Sequence, residues 1–273
     1  MKLGAELDRE TLIAGLGGPG AVAALSPEAR ADAMEEVLQN ELNRIAAGKS
    51  RYPTVAELEE QVELRSFRRG VGNTFHNVTG RVKRLPPLPA APTLLDFFRL
   101  RFATTANHCL QSANLARKNG ASEEIVLACL LHDTVQELMK ADHAWWCAQI
   151  YEPYVSEKVA FAIRYHQVLR FYPDEAAGYA YPKLYRTLFG EDYKPEPYIA
   201  NAYQWLKNHK WYDLPRAVTV NDLYAFDPNS HVAIDPFIDI IGRHFKQPKE
   251  GLGFDNSPVA HMWRTIATPD RPL

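Results

Sequence analysis

Along most of this chain apolar residues recur three and four positions apart, the spacing that lines one face of an α-helix. No alternating run long enough for a half-buried strand competes with them. Between residues 1 and 84 the pattern predicts amphipathic helices near Asp8–Leu16, over Ser26–Ala47 and from Thr54 to about Arg68. Two of these carry start signals: Ser26-Pro27-Glu28 reads as an N-cap with proline at the first helical position, and Thr54 with Glu57 as a capping box. From Leu94 onward, helices are expected over 94–118, 122–132, 143–150, 155–170, 179–189, 196–209, 215–226 and 235–245. The fold class is therefore all-α, a helical bundle with an N-terminal helical extension.

Periodicity is lost between Arg69 and Thr93, where Gly70, Gly72, Gly80 and the stretch LPPLPAAP mark an extended connection. The expected organisation is an extension over 1–84, a proline-rich linker over 85–93, a helical domain over 94–245 and a tail over 246–273 lying on the core. With 273 residues, 46% of them hydrophobic and 23% charged, the chain can build a core without disulfides. Its 31 basic and 33 acidic residues leave a net charge of -2, which argues against nucleic acid or an anionic membrane as partner. Cys109, Cys129 and Cys147 lie inside helical patterns without CxxC spacing and read as reduced thiols. The early acids of MKLGAELDRETLIAGLGG and the lack of a long apolar run predict a soluble, cytoplasmic protein, and a small molecule is the partner class that remains.

The candidate chemistry begins at His132-Asp133, which closes the apolar run IVLACLL. An imidazole on or beside apolar surface is costly without a partner, and His108, His143 and His166 are all so placed. Any one of them alone is more often a satisfied core or surface group; together with carboxylates they have the make-up of a transition-metal site. One straight helix would hold His132 and His143 about 16 Å apart, too far to share metals about 3.5–4 Å from each other. The helix is therefore expected to break between Met139 and Asp142, with Asp142 as the N-cap of a new helix starting at His143. Pro153 ends that helix, and the one over Ser156–Arg170 can bring His166 opposite His143. Two acids compete for the last position. Asp213, just before Pro215, suits a helix start, whereas Asp222, among Val218, Leu223 and Phe226, needs a partner such as a metal and is the better placed.

The order His108, His132-Asp133, His143, His166, Asp222 resembles the HD-domain superfamily of metal-dependent helical enzymes over roughly residues 94–245. Most members of that superfamily are phosphohydrolases built on an H…HD…D core. A smaller branch of mixed-valent di-iron oxygenases, including myo-inositol oxygenase and the phosphonate-cleaving HD oxygenase, adds two histidines between the dyad and the last aspartate. This chain is similar to that branch at NHCLQSA around His108 (HxLQxA there), at IRYHQVLRFYP around His166 (IRFHSFYP) and at NDLYAFDP around Asp222 (FDLYTKCP). The last similarity selects Asp222 over Asp213.

The resemblance implies two iron ions, Fe(II)/Fe(III), bridged by Asp133, with His108, His132 and Asp222 on one and His143 and His166 on the other. Mn, Ni, Co or Zn are the alternative metals. Gln136 stands where these oxygenases have a substrate-contacting lysine or glutamine, and Lys140 and Arg164 are further polar residues expected near the substrate. The chain departs from the pattern in three ways. Thr134-Val135 follows the dyad in place of Ile/Leu-Gly. Phe98 and Arg101 replace a tyrosine and a glutamate of the phosphonate enzyme, and Phe226 a substrate-binding lysine of the inositol enzyme. The implied activity is oxidative cleavage or hydroxylation of a small polar substrate by O2. The alternative is hydrolysis of a small phosphate ester or nucleotide, and a helical scaffold with structural histidines would bind no transition metal.

Overall fold

The computed structural model describes residues 85–102, 105–136, 142–182 and 193–267, together with single residues between 18 and 43. The helices predicted near Asp8–Leu16 and over Thr54–Arg68 lie outside the described residues, and the one over Ser26–Ala47 lies partly so. Every described residue between 29 and 43 is helical. The chain then forms α1 (Leu94–Leu100), α2 (Ala106–Lys118), α3 (Glu123–Leu131), α4 (His143–Tyr151), α5 (Glu157–Leu169), α6 (Pro197–Leu206), α7 (Asp213–Leu223), a 3-10 turn (Asp235–Phe237), α8 (Ile238–His244) and α9 (Ala260–Ala267). Among the described residues no strand forms, and one isolated antiparallel bridge joins Asp174 to Tyr179. The fold is all-α, as the periodicity predicts.

α3 is the axis of the bundle. Its residues Ile125 to Leu131 are all buried, so it is apolar on every side, as a helix enclosed by others must be. α2, α5, α7 and α8 pack around it, and α4 packs on α5. Ser122 and Ser156 start α3 and α5 by accepting the backbone N–H groups of Ile125 and Val159. These caps satisfy donors that the first helical turn cannot pair internally.

Three expectations change. The single helix over 94–118 is two, because the first ends at Leu100 and the second starts at Ala106, with Phe102 buried beside Phe97, Phe98 and Trp263. Between them the Arg101 guanidinium donates to the carbonyls of Ala267 (3.0 and 2.9 Å) and Pro86 (3.0 Å). Residues 179–182 are not helical, because Tyr179 is held by its bridge to Asp174 and by an O–H bond to the Arg170 carbonyl; 183–190 lie outside the described residues. The tail over 246–273 contains a helix where none is expected, α9, whose Trp263 is fully buried edge-on to Phe97 at 4.7 Å.

The 85–93 stretch is extended, but it is packed rather than free. Leu252 N donates to the Pro92 carbonyl at 2.8 Å, and Leu94 N donates to Gln247 Oε1 at 3.0 Å. Gly251 makes this approach possible, since a Cβ there would lie 2.5 Å from Pro92 and its φ of 89° is one that L side chains avoid.

Among the described residues no helix is long and apolar enough to cross a membrane. The three cysteines are buried free thiols.

Candidate metal centre

The helix carrying His132 ends earlier than the expected break between Met139 and Asp142, of which 139–141 lie outside the described residues. α3 ends at Leu131 and the chain runs through turns over 132–136, where Thr134 Oγ1 donates to the Leu131 carbonyl at 3.0 Å and lies 2.7 Å from the Tyr151 hydroxyl. α4 begins at His143, after Asp142 in the left-handed region at φ 54°. The Asp142 side chain makes no capping bond, so it is the backbone reversal at Asp142, and not a carboxylate cap, that restarts the helix. The turn ends one helix and the reversal opens the next, which brings His143 back toward Asp133.

Six predicted residues converge from five elements: His108 from α2, His132 and Asp133 from the end of α3, His143 from the first residue of α4, His166 from α5 and Asp222 from α7. All are buried. His108 Nε2 lies 2.9 Å from Asp222 Oδ1, 3.3 Å from His132 Nε2 and 3.6 Å from Asp133 Oδ2. On the other side of Asp133, its Oδ1 lies 3.0 Å from His143 Nε2 and 3.7 Å from His166 Nε2. Ligand-type atoms of His108, His132, Asp133 and Asp222 all fall within 4.8 Å of one another, and so do those of Asp133, His143 and His166. Asp133 belongs to both groups. Asp213, the competing acid, is exposed at the first residue of α7.

The outer ring nitrogens show how the imidazoles are aimed. Nδ1–H of His132 donates to the Cys129 carbonyl at 2.8 Å, that of His166 to Ile163 at 2.7 Å and that of His108 to Ala225 at 3.3 Å. A carbonyl can only accept, so each bond keeps a proton on Nδ1 and turns Nε2 toward the centre, as ligating histidines require. His143 differs. Its Nδ1 faces the Gln167 amide nitrogen at 3.0 Å and Asp32 Oδ1 at 3.7 Å, while Gln167 Oε1 accepts from Ala144 N at 2.9 Å.

Charge is concentrated here. Burial pulls the His132 and His143 imidazoles down, but Asp133 and its neighbouring carboxylates outweigh that and raise them to about 9 and about 10. His166 moves the other way, lowered by burial and by the two nearby imidazoles against the opposing pull of Asp133. Burial would raise the Asp133 and Asp222 carboxyls, yet the surrounding histidines hold both well below the usual carboxylate range. Despite these neighbours, Asp133 Oδ1, His166 Nε2 and Asp222 Oδ1 make no well-formed hydrogen bond. Buried polar atoms without hydrogen bonds are costly, and a cation at the centre answers that cost. The donor set of imidazoles and carboxylates suits a first-row transition metal.

The expected substrate residues part company. Gln136 is buried beside the cluster, its amide donating to Glu35 Oε2 at 3.4 Å. Arg164 is not brought to the centre; its guanidinium lies 3.6 Å from Glu152 on a partly exposed face of α5, two positions before His166 and so on another side of the helix. Lys140 lies outside the described residues.

The N-terminal segment, which carries no metal-type motif in the sequence, also contributes to the cluster. Asp32, Glu35 and Gln39 are buried at the cluster: Gln39 Nε2 donates to Asp133 Oδ2 at 3.1 Å, Gln167 Nε2 to Asp32 Oδ1 at 2.8 Å and Arg170 Nη1 to Glu35 Oε1 at 2.7 Å, while Arg170 Nη2 also donates to Asp32. Asn43 continues the line with a 2.9 Å bond from Asn107. The signal was the spacing 32, 35, 39, 43, which places four polar side chains on one helical face. Burial raises the Glu35 carboxyl to about 7 against the lowering effect of Arg170.

Compared with known proteins, the sequence matches no family model and no curated protein. What stands is the fold and the site: an all-helical chain whose buried histidines and carboxylates can coordinate metal, which supports a metal-dependent enzyme in general.

Proposed function

We propose that the protein is a di-iron oxygenase of the HD-domain kind, using O2 to cleave or hydroxylate a small polar substrate. The observation that supports it best is that two ligand groups share one buried carboxylate, Asp133, with four imidazoles divided between them. In this reading residues 94–245 form the catalytic domain, residues 1–84 an extension over it and 246–273 a tail on its core. His108, His132 and Asp222 would hold one metal, His143 and His166 the other, and Asp133 both.

A bound iron pair would supply the redox chemistry toward O2 and substrate. The chain does the rest. Carbonyls of Cys129, Ile163 and Ala225 orient three of the imidazoles. The Phe226 ring stacks on His108 at 4.3 Å and keeps water from that face. The amide of Gln136, buried beside the cluster and bonded to Glu35 only at 3.4 Å, is suited to an oxygen of a small polar substrate, while Gln39 holds Asp133. A phosphohydrolase needs cationic side chains over the site to clamp phosphate. Among the described residues, the guanidinium beside the cluster, Arg170, is already engaged by Asp32 and Glu35.

Metal analysis combined with an oxygen electrode tests the proposal. The oxygenase reading expects about two Fe per chain and O2 uptake with the substrate. Mn, Ni, Co or Zn together with phosphate-ester hydrolysis and no O2 uptake would assign the site to hydrolysis, and absence of any transition metal would leave a structural scaffold.

A further inference from the structure

The two oxygens of the Glu35 carboxylate face different groups. Oε1 accepts from Arg170 Nη1 at 2.7 Å, while Oε2 faces the cluster, 3.7 Å from His143 Nε2 and 3.4 Å from Gln136 Nε2. Ligand-type atoms of Glu35, Asp32 and His143 fall within 4.8 Å of one another, and His143 also belongs to the group formed with Asp133 and His166. In that second group Asp133 Oδ1 and His166 Nε2, both buried, make no hydrogen bond with each other or with anything else described. Glu35 Oε2 and Asp133 Oδ1 both approach the same His143 Nε2, at 3.7 and 3.0 Å.

Charge balance points the same way. Asp32, Glu35, Asp133 and Asp222 are all buried, and Arg170 is the guanidinium paired with two of them. Four buried carboxyl groups thus share one guanidinium, an excess of acids that an apolar interior does not tolerate without further cationic partners. The group around His108 has four protein ligands, two imidazoles and two carboxylates, whereas the group around His143 has three.

We infer that Glu35 is a fourth protein ligand of the second metal, coordinating through Oε2 beside Asp133, His143 and His166. The inference rests on the two-metal reading above. It makes the N-terminal helical segment part of the metal centre, about a hundred residues ahead of the dyad in sequence, rather than a cover over a finished site.

The test is an anaerobic Fe(II) titration of the metal-depleted full chain, followed by equilibrium dialysis and metal analysis. The wild type should take up two ions, and Glu35→Gln should bind one of them at least about tenfold more weakly while the other is unchanged. Glu35→Asp, which keeps the charge for Arg170 but withdraws the oxygen by one methylene, should weaken the same ion and serves if Glu35→Gln does not fold. Arg170→Gln, which breaks the ion pair and keeps the carboxylate, should retain both ions. Wild-type affinity at both positions in Glu35→Gln or Glu35→Asp would overturn the inference. Equal weakening by Glu35→Gln and Arg170→Gln would also overturn it, since Glu35 would then be only a latch. Uptake of fewer than two ions by the wild type would instead strike the two-metal reading itself.

Discussion

The two halves of the cluster are held by different means. Around His108, the ligand-type atoms come from within or at the ends of α2, α3 and α7, and the imidazoles are oriented by main-chain carbonyls. In the other half His166 is held by a carbonyl in the same way, but His143 opens a helix that restarts at a left-handed residue, and its imidazole is oriented by side chains, Gln167 and Asp32. Carbonyl-held groups move only if the helix moves; side-chain-held groups can be disturbed singly. The first half should therefore be the tighter and less mutable metal position, and the second the one that individual substitutions can empty.

Removing the shared carboxylate should erase the difference. Asp133→Ala is expected to lose both metals and reduce activity to background, as measured by metal content and turnover, because each half loses a ligand and the carboxylate that lies between His108 and His132 on one side and His143 and His166 on the other is gone. Retention of one full metal equivalent would show that the halves are independent. Next in size is a control that leaves both halves alone. Trp263→Ala, in the aromatic cluster with Phe97 and Tyr151, should cost about 3–5 kcal/mol of stability in denaturant titration while metal stoichiometry of the folded fraction stays the same. Gln167→Leu sharpens the contrast, since it removes the amide between Asp32 and the His143 ring. It should weaken the second metal by roughly 10–100-fold and spare the first, a split visible in two-step metal titration.

The smallest effect is the pH dependence, and its sign is set by the imidazoles. In the metal-free protein His132 and His143 are raised to about 9 and about 10, above the ordinary histidine value. The stability they contribute is fully present below about pH 6.5 and is lost as pH rises through those raised values. Asp133 and Asp222 are depressed, so the same ion pairs also weaken as pH falls below the ordinary carboxylate range. Metal binding must displace the imidazole protons, so apparent affinity should rise with pH up to about 9. Chemical denaturation and metal titration across pH 5 to 9 check both trends; a metal affinity that does not change with pH would contradict the protonated cluster.

The same contrast explains what could be read from sequence. The helices around the first half follow apolar periodicity, and the all-apolar α3 announces its central place. His132-Asp133 at its end and Asp222 among apolar neighbours were visible because polar groups in such surroundings need partners. The break before His143 could be demanded from helix geometry, but its cause could not, because a left-handed Asp142 without a side-chain cap carries no distinctive signature. Asp32, Glu35 and Gln39 were missed because a polar helix face reads as solvated until its partners, Gln167, Arg170 and Asp133, are known. α9 was missed because Arg101 and Trp263 tie it to α1 through contacts distant in sequence. Arg164 was over-read, since its position two residues from His166 places it on another side of α5.

The central claim is that one buried carboxylate joins two metal positions, and electron paramagnetic resonance of the aerobically purified, partly reduced protein tests it most directly. The account predicts the signal of a spin-coupled Fe(II)/Fe(III) pair that disappears in Asp133→Ala. An isolated high-spin Fe(III) signal at full metal loading, unaltered in that variant, would contradict it.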